Sequence, residues 1–113
     1  MAKVDSGIQY PWTKEQMAAW LAASVVYKSS AKVGEETYHF AFKKPEWPIM
    51  KRVSSLVNQK DNVTAGEVLL ENCWLAGHDQ IKADPALYLG ACLAAVNAIA
   101  DNMPTFETKL VKS

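Results

Sequence analysis

The stretch TAGEVLLENCWLAGHDQIKADPALYLGACLAAVNAIAD, residues 64–101, carries the clearest structural signals in the chain. Thr64, with Glu67 three positions later, forms the capping-box pattern that begins many α-helices. Gly77 suits the left-handed position that ends a helix, because glycine adopts positive φ without a steric penalty. Asp84-Pro85 then marks a second start, since aspartate caps a helix and proline is tolerated at its first position. The stretch therefore predicts two helices joined by a short polar connection.

The second of these helices is apolar on nearly every face. Between residues 87 and 99 only Gly90 and Asn97 interrupt a run of leucine, tyrosine, valine, isoleucine, cysteine and alanine. A helix of this kind is either buried all round or shared with another chain, and the sequence leaves both alternatives open. The run is short and rich in alanine, so we expect no membrane span.

The residues before this stretch predict a helix, a hairpin and a further helix. Thr13 and Gln16 form a second capping box, so a helix is expected over residues 12–24, after an irregular arm over residues 1–11. Residues 25–43 predict a β-hairpin with its turn near Gly34, because side chains of two kinds alternate along its second half. We expect its aromatic face to pack on helices and the opposite face, which carries His39, to meet water.

The expected fold is α+β and forms a single domain of 113 residues. It has an N-terminal helix, a two-stranded antiparallel hairpin, and then three helices that form a small bundle against the hairpin. Residues 45–101 hold the three helices, and the first of them is expected to start near Pro45 or Pro48. A polar connector is expected over residues 58–63, and residues 102–113 form a C-terminal tail.

The charge balance weighs against nucleic acid or an anionic membrane as a partner. Twelve acidic residues balance twelve basic ones, and Arg52 is the one arginine. Lys43, Lys44, Lys51 and Arg52 lie near Trp47 in a pattern that single-strand binders also use, but such charges are more often solvated. The N-terminal residues lack a secretory signal pattern, so we expect a reducing cytosol.

One set of residues contains the side chains of a thiol-based catalytic site, and a second contains those of a zinc site. Neither set has the sequence spacing that is typical of such a site. Cys73, His78 and Asp79 supply a thiol, a base and a carboxylate, yet the cysteine is expected inside an apolar helix and the histidine past its end. Cys73, His78, Cys92 and His39 match no known zinc spacing. We therefore expect buried free thiols, no cofactor or metal, and no enzymatic activity.

Apolar and aromatic residues are more abundant than a thin α+β core needs. The chain has four tryptophans, four tyrosines and three phenylalanines. Self-association or partner binding explains this content as well as core burial does, and both interpretations stay open. The candidate interaction surface consists of Trp20, Tyr38, Phe40, Phe42, Trp47 and Phe106.

Residues 38–99 resemble a group of small bacteriophage proteins that are encoded with tail genes and look like tail-assembly chaperones. Three segments carry the resemblance: Phe42-Lys43-Lys44-Pro45, Asn72-Cys73-Trp74-Leu75-Ala76-Gly77, and Ile81-Lys82-Ala83-Asp84-Pro85-Ala86-Leu87-Tyr88-Leu89. Within them Asn72, Cys73, Trp74, Gly77, Asp84 and Pro85 are interpreted as a structural motif rather than as contact residues. The usual acidic run is replaced here by His78-Asp79-Gln80.

The resemblance implies a non-enzymatic phage morphogenesis protein that works as a homo-oligomer. Its partner would be the tape-measure protein or a tail-tube component, in the bacterial host cytoplasm while the tail is built. Two alternatives are a minor tail or connector protein that is retained in the virion and a phage-encoded inhibitor of a host protein. An alanine-rich last helix and an extra tail after Met103 depart from the pattern, so the surface used is left open.

Overall fold

A computed structural model describes residues 10–111 as a mixed α/β arrangement with one three-stranded antiparallel sheet. The strand order is β1-β2-β3, which places β2 in the middle. The elements in chain order are α1 (Lys14–Ala23), β1 (Val26–Val33), β2 (Glu36–Lys43), α2 (Trp47–Asn58), α3 (Asn62–Cys73), β3 (Trp74–Gly77), α4 (Asp79–Ala83) and α5 (Pro85–Asp101).

The N-terminal helix and the hairpin are confirmed. The Thr13 hydroxyl accepts from the Gln16 N–H at 3.0 Å, while the Gln16 side chain accepts from the Thr13 N–H at 2.8 Å. These reciprocal bonds are the predicted capping box. β1 and β2 pair along their whole length, and Gly34 takes a φ of 63° in the two-residue turn between them. The expected irregular arm lies almost wholly outside the described residues.

The predicted N-cap of α3 is wrong by three residues. Asp61 caps this helix, because its side chain accepts from the Thr64 N–H at 3.2 Å, and the helix begins at Asn62. Thr64 and Glu67 therefore lie inside the helix. Lys60 takes a φ of 62° directly before the cap, so a connector of three residues is enough to reverse the chain after α2.

The two-stranded sheet is also wrong, because a third strand lies where the sequence predicts helix. α3 ends at Cys73, and residues 74–77 pair antiparallel with β2, with Phe40 opposite Gly77 and a bulge next to Phe42. The Trp74 ring stacks on the Phe40 ring at 5.4 Å with an interplanar angle of 1°. β3 thus satisfies backbone groups on one edge of β2, and the short helix α4 provides the remaining connection to α5.

The core lies between the aromatic face of the sheet and helices α3 and α5. α3 and α5 approach closely at Gly66, where an added Cβ would lie 2.5 Å from the Cys92 Cβ. Cys73 and Cys92 are buried free thiols, as predicted. The larger core residues are Phe40, Phe42, Val53, Leu69, Leu70, Ile81, Val96 and Ile99. No helix within residues 10–111 is long and apolar enough to cross a membrane.

Candidate interaction surface

Within residues 10–111 no strand pairs with the outer side of β1, which is the first strand of the sheet, and this side is called the free edge. The Lys44 N–H donates to the Val25 carbonyl at 2.9 Å and extends the ladder by one pair. Hydrogen-bonded and non-bonded pairs alternate along an antiparallel ladder, so this bond sets the phase of the whole hairpin. The backbone N–H and C=O groups that point away from β2 are those of Val26, Lys28, Ser30 and Lys32.

A groove of 250 Å³ lies between this strand and α5. Its walls carry small side chains, among them Ser29 and Ala31 on β1, and Phe40 is part of its lining. Gly90 of α5 also lines it, and a Cβ built there would meet nothing within 4 Å. The groove is therefore open, mostly apolar, and continuous with the free edge. Two residues of the predicted surface, Tyr38 and Phe40, line this groove, whereas the β1 edge was not predicted, although the hairpin period and the two-residue turn could have revealed it.

α5 is neither buried all round nor wholly exposed. Cys92, Val96 and Ile99 are in the core, whereas Leu89 and Leu93 are exposed on the outer side. Residues four positions apart lie on one face of a helix, so these two leucines form a continuous apolar stripe. Within one chain, the structure thus leaves part of the apolar helix uncovered.

Two of the six predicted surface aromatics are core residues. Phe40 and Phe42 are buried between the sheet and the helices, as expected for an aromatic face that packs on helices, and Phe40 can contact a partner only where it lines the groove. Tyr38 is half-buried and packs edge-on to His78, with ring centroids 6.0 Å apart.

The remaining three candidates lie outside the main core. Trp20 is half-buried and packs edge-on against Trp12 at 6.1 Å. Trp47 is 71% exposed at the start of α2, and Phe106 is 85% exposed in the C-terminal tail. Trp47 and Phe106 are thus the two predicted aromatics that stay largely in solvent.

The motif residues make local contacts that support the backbone. The Asn72 amide donates to the Val68 carbonyl at 2.8 Å, and Asp84 caps α5 by accepting from the Ala86 N–H at 2.9 Å. Pro85 occupies the first turn of α5, as predicted. The Lys82 ammonium lies 4.3 Å above the Trp74 ring, within cation–π distance.

Gly77 does not end a helix in a left-handed conformation, so that prediction is wrong. It lies in β3, opposite Phe40. An added Cβ would lie 2.6 Å from the Trp74 Cη2 and 2.7 Å from the Phe40 Cβ. Glycine is needed here because the Trp74 ring fills the space that a side chain would occupy.

His39 is buried, although the sequence predicts that its face of the strand meets water. The Tyr10 ring lies 4.6 Å from the His39 ring, which is 6% exposed. The His39 N–H donates to the His78 Nδ1 at 2.9 Å, and the His78 N–H donates to the His39 carbonyl at 3.0 Å. Burial lowers the pKa of His39, and the nearby His78 and Lys28 lower it further.

Neither thiol has the environment of a nucleophile. Burial raises the pKa of Cys73 and of Cys92 above the ordinary thiol value, which favours the protonated form at neutral pH. Within residues 10–111, no group of three or more His, Cys, Asp and Glu side chains is arranged to hold a metal ion. The geometry therefore directs attention to the strand edge and its groove.

Comparison of the chain with protein-family models, curated proteins and solved structures found no match. A functional proposal for this chain thus depends on its own surface and on the motif resemblance.

Proposed function

We propose that this protein is a non-enzymatic phage morphogenesis protein, a tail-assembly chaperone or adaptor that binds an unassembled tail component through apolar surface. The observation that carries this proposal is the free edge of β1 beside an open apolar groove. The resemblance of residues 38–99 to small phage tail proteins supplies the assembly context. The tape-measure protein and a tail-tube component are the proposed partners.

The proposed mode of binding is strand addition. An extended segment of the partner pairs with the outward backbone groups of β1, and its alternate side chains enter the groove. Main-chain hydrogen bonds supply affinity that depends little on the partner's sequence, whereas the groove selects apolar side chains. A segment held in this way cannot pair with another unassembled chain, which is the protection that an assembly chaperone gives.

Filling the groove from within the chain tests this proposal. Gly90→Phe places a ring where a Cβ meets no neighbour, and Gly90→Ala is the matched control because it leaves the groove open. Each variant would be co-expressed with a tagged tape-measure or tail-tube protein. The original chain and Gly90→Ala are expected to co-purify with the tail component, and Gly90→Phe is expected to lose at least about 90% of the captured amount, a tenfold weakening.

Three outcomes contradict the proposal. Equal capture by Gly90→Phe and Gly90→Ala would exclude the groove as the binding site. Presence of the protein in purified virions, at a stoichiometry like that of a tail component, would indicate a minor tail or connector protein instead. Capture of a host protein together with normal tail assembly after gene deletion would indicate an inhibitor of that host protein.

A further inference from the structure

The C-terminal segment that follows α5 exposes its apolar side chains to solvent. Phe106, Leu110 and Val111 are each more than four-fifths exposed. In an extended strand Phe106 and Leu110 lie on one side with Thr108 between them, and Glu107, Lys109 and Val111 lie on the other, so the first side is the more apolar. No regular secondary structure is assigned over residues 103–111. Residues 103–111 thus resemble an extended peptide that is not paired with any strand of the described sheet.

The free edge of β1 has the complementary properties. Outward backbone groups of residues 26–32 need partners, and the adjoining groove is open at Gly90. A strand added there with Phe106 towards the groove places Glu107 on the opposite face of the sheet, which carries Lys28 and Lys32. On that face Glu107 is complementary to the two lysines, whereas Lys109 lies on the same face and carries their charge, so the pairing favours a register with Glu107 beside a lysine. The ion pair that Glu107 makes with Lys109 at 3.4 Å is largely exposed, so it competes only weakly with the pairing to β1.

To place Phe106 beside Gly90 of its own chain, the segment would need to run straight back along α5 in a fully extended form. Met103 lines a separate pocket between α2 and α5, together with Met50 and Val53, so the chain leaves α5 on the side of α2. From the end of α5 at Asp101, the five residues to Phe106 span about 17 Å at most when fully extended. The path back along α5 from Asp101 to Gly90 is about 16 Å at the helical rise, and the groove lies on the side of β1.

We propose that residues 104–111 of one copy add as a strand to the free β1 edge of a second copy, with Phe106 in the groove between β1 and α5. This inference uses the same site as the proposed function, but both contacting surfaces belong to this chain. In the assembly without a partner, this segment would occupy the β1 edge and the groove. A tail component would have to displace the segment in order to bind.

The test uses light scattering of the full chain over a tenfold concentration range. Phe106→Ser removes the ring, with Phe106→Leu as its control. Ser30→Pro removes one outward N–H, and proline is tolerated at such an edge position; Ser30→Ala keeps the N–H and is the control. The original chain and both controls are expected to self-associate. Phe106→Ser and Ser30→Pro are each expected to raise the dissociation constant by at least about tenfold.

A mixture of Phe106→Ser and Ser30→Pro shows whether each variant has lost one contact surface or has failed to fold. Phe106→Ser retains an intact edge and Ser30→Pro retains an intact segment, so an equimolar mixture is expected to form a complex that neither variant forms alone. A labelled peptide of residues 103–113 is expected to bind Phe106→Ser and to bind the Phe106→Ser, Ser30→Pro double variant at least about tenfold more weakly. Circular dichroism checks that each variant is folded.

A concentration-independent monomer of the original chain would overturn the inference. Self-association that survives both Phe106→Ser and Ser30→Pro, or a mixture that forms no complex, would do the same. Failure here is distinguishable from failure of the proposed function, because a monomeric chain that still captures a tail component would retain the chaperone role. Conversely, if copies associate through residues 104–111 but capture no tail component, the self-association is supported and the chaperone role is not.

Discussion

At the scale of single residues, two positions are each covered by a neighbouring aromatic ring. The Trp74 ring occupies the space above Gly77, and the Tyr10 ring covers His39. Neither contact follows from local sequence pattern. Each leads to a measurable effect on stability.

Gly77→Val is expected to lower the free energy of unfolding by about 1–3 kcal/mol, because the new side chain overlaps the Trp74 ring and the Phe40 Cβ. Urea unfolding measures the change. In a Trp74→Leu background the same substitution should cost less, since the ring that it meets has gone. An equal cost in both backgrounds would show that the Trp74 ring is not the reason for glycine at this position.

His39 is expected to make stability depend on pH. Its pKa is lowered in the folded state, so the unfolded chain binds the proton more readily and stability is greatest above about pH 6.5. Stability should then fall as the pH drops from that value through the lowered pKa. Urea unfolding at pH 7.5 and pH 5.5 measures this, and His39→Gln should show a smaller decrease. Tyr10, Lys28 and His78 are the titratable groups near this ring. An equal decrease in both proteins would assign the effect to other groups.

At the scale of elements, the packing of α3 on α5 depends on a close approach at Gly66. Gly66→Ala is expected to destabilise the fold by about 1–3 kcal/mol, because its Cβ would meet the backbone and Cβ of Cys92 and force the helices apart. Gly90→Ala is the matched control, since it gains the same helix propensity and meets nothing within 4 Å. Thermal unfolding of the two variants compares them. A similar rise in thermal midpoint for both would contradict the close approach.

Prediction of the elements succeeds where the signals are local. The cap of α1 at Thr13, the turn at Gly34 and the cap of α5 at Asp84 all depend on residues within three or four positions, and the structure has each of them. The start of α3 was missed because Asp61 offers a cap just before the pattern at Thr64. Two adequate caps in succession cannot be ranked by pattern alone.

At the scale of the whole molecule, the uncovered surfaces lie on distinct parts of the chain. The described chain extends 68 Å along its longest axis and 31 Å and 21 Å along the others. The free edge of β1 and its groove lie at the sheet, whereas residues 102–111 lead away from α5 and are exposed throughout. Strand addition between copies would cover both, which is the reason for measuring self-association before searching for a partner.

The sequence by itself determined the caps of α1 and α5, the hairpin with its turn at Gly34, and the burial of the two thiols, because these features follow from short-range hydrogen bonding and apolar periodicity. Only the tertiary structure decided that residues 74–77 form a strand, that His39 is covered, and that β1 keeps a free edge within residues 10–111. The physical reason is that these outcomes depend on which distant segment pairs with or packs on each strand. Trp74 and Phe40 stack across more than thirty positions of chain, beyond the range of any local pattern.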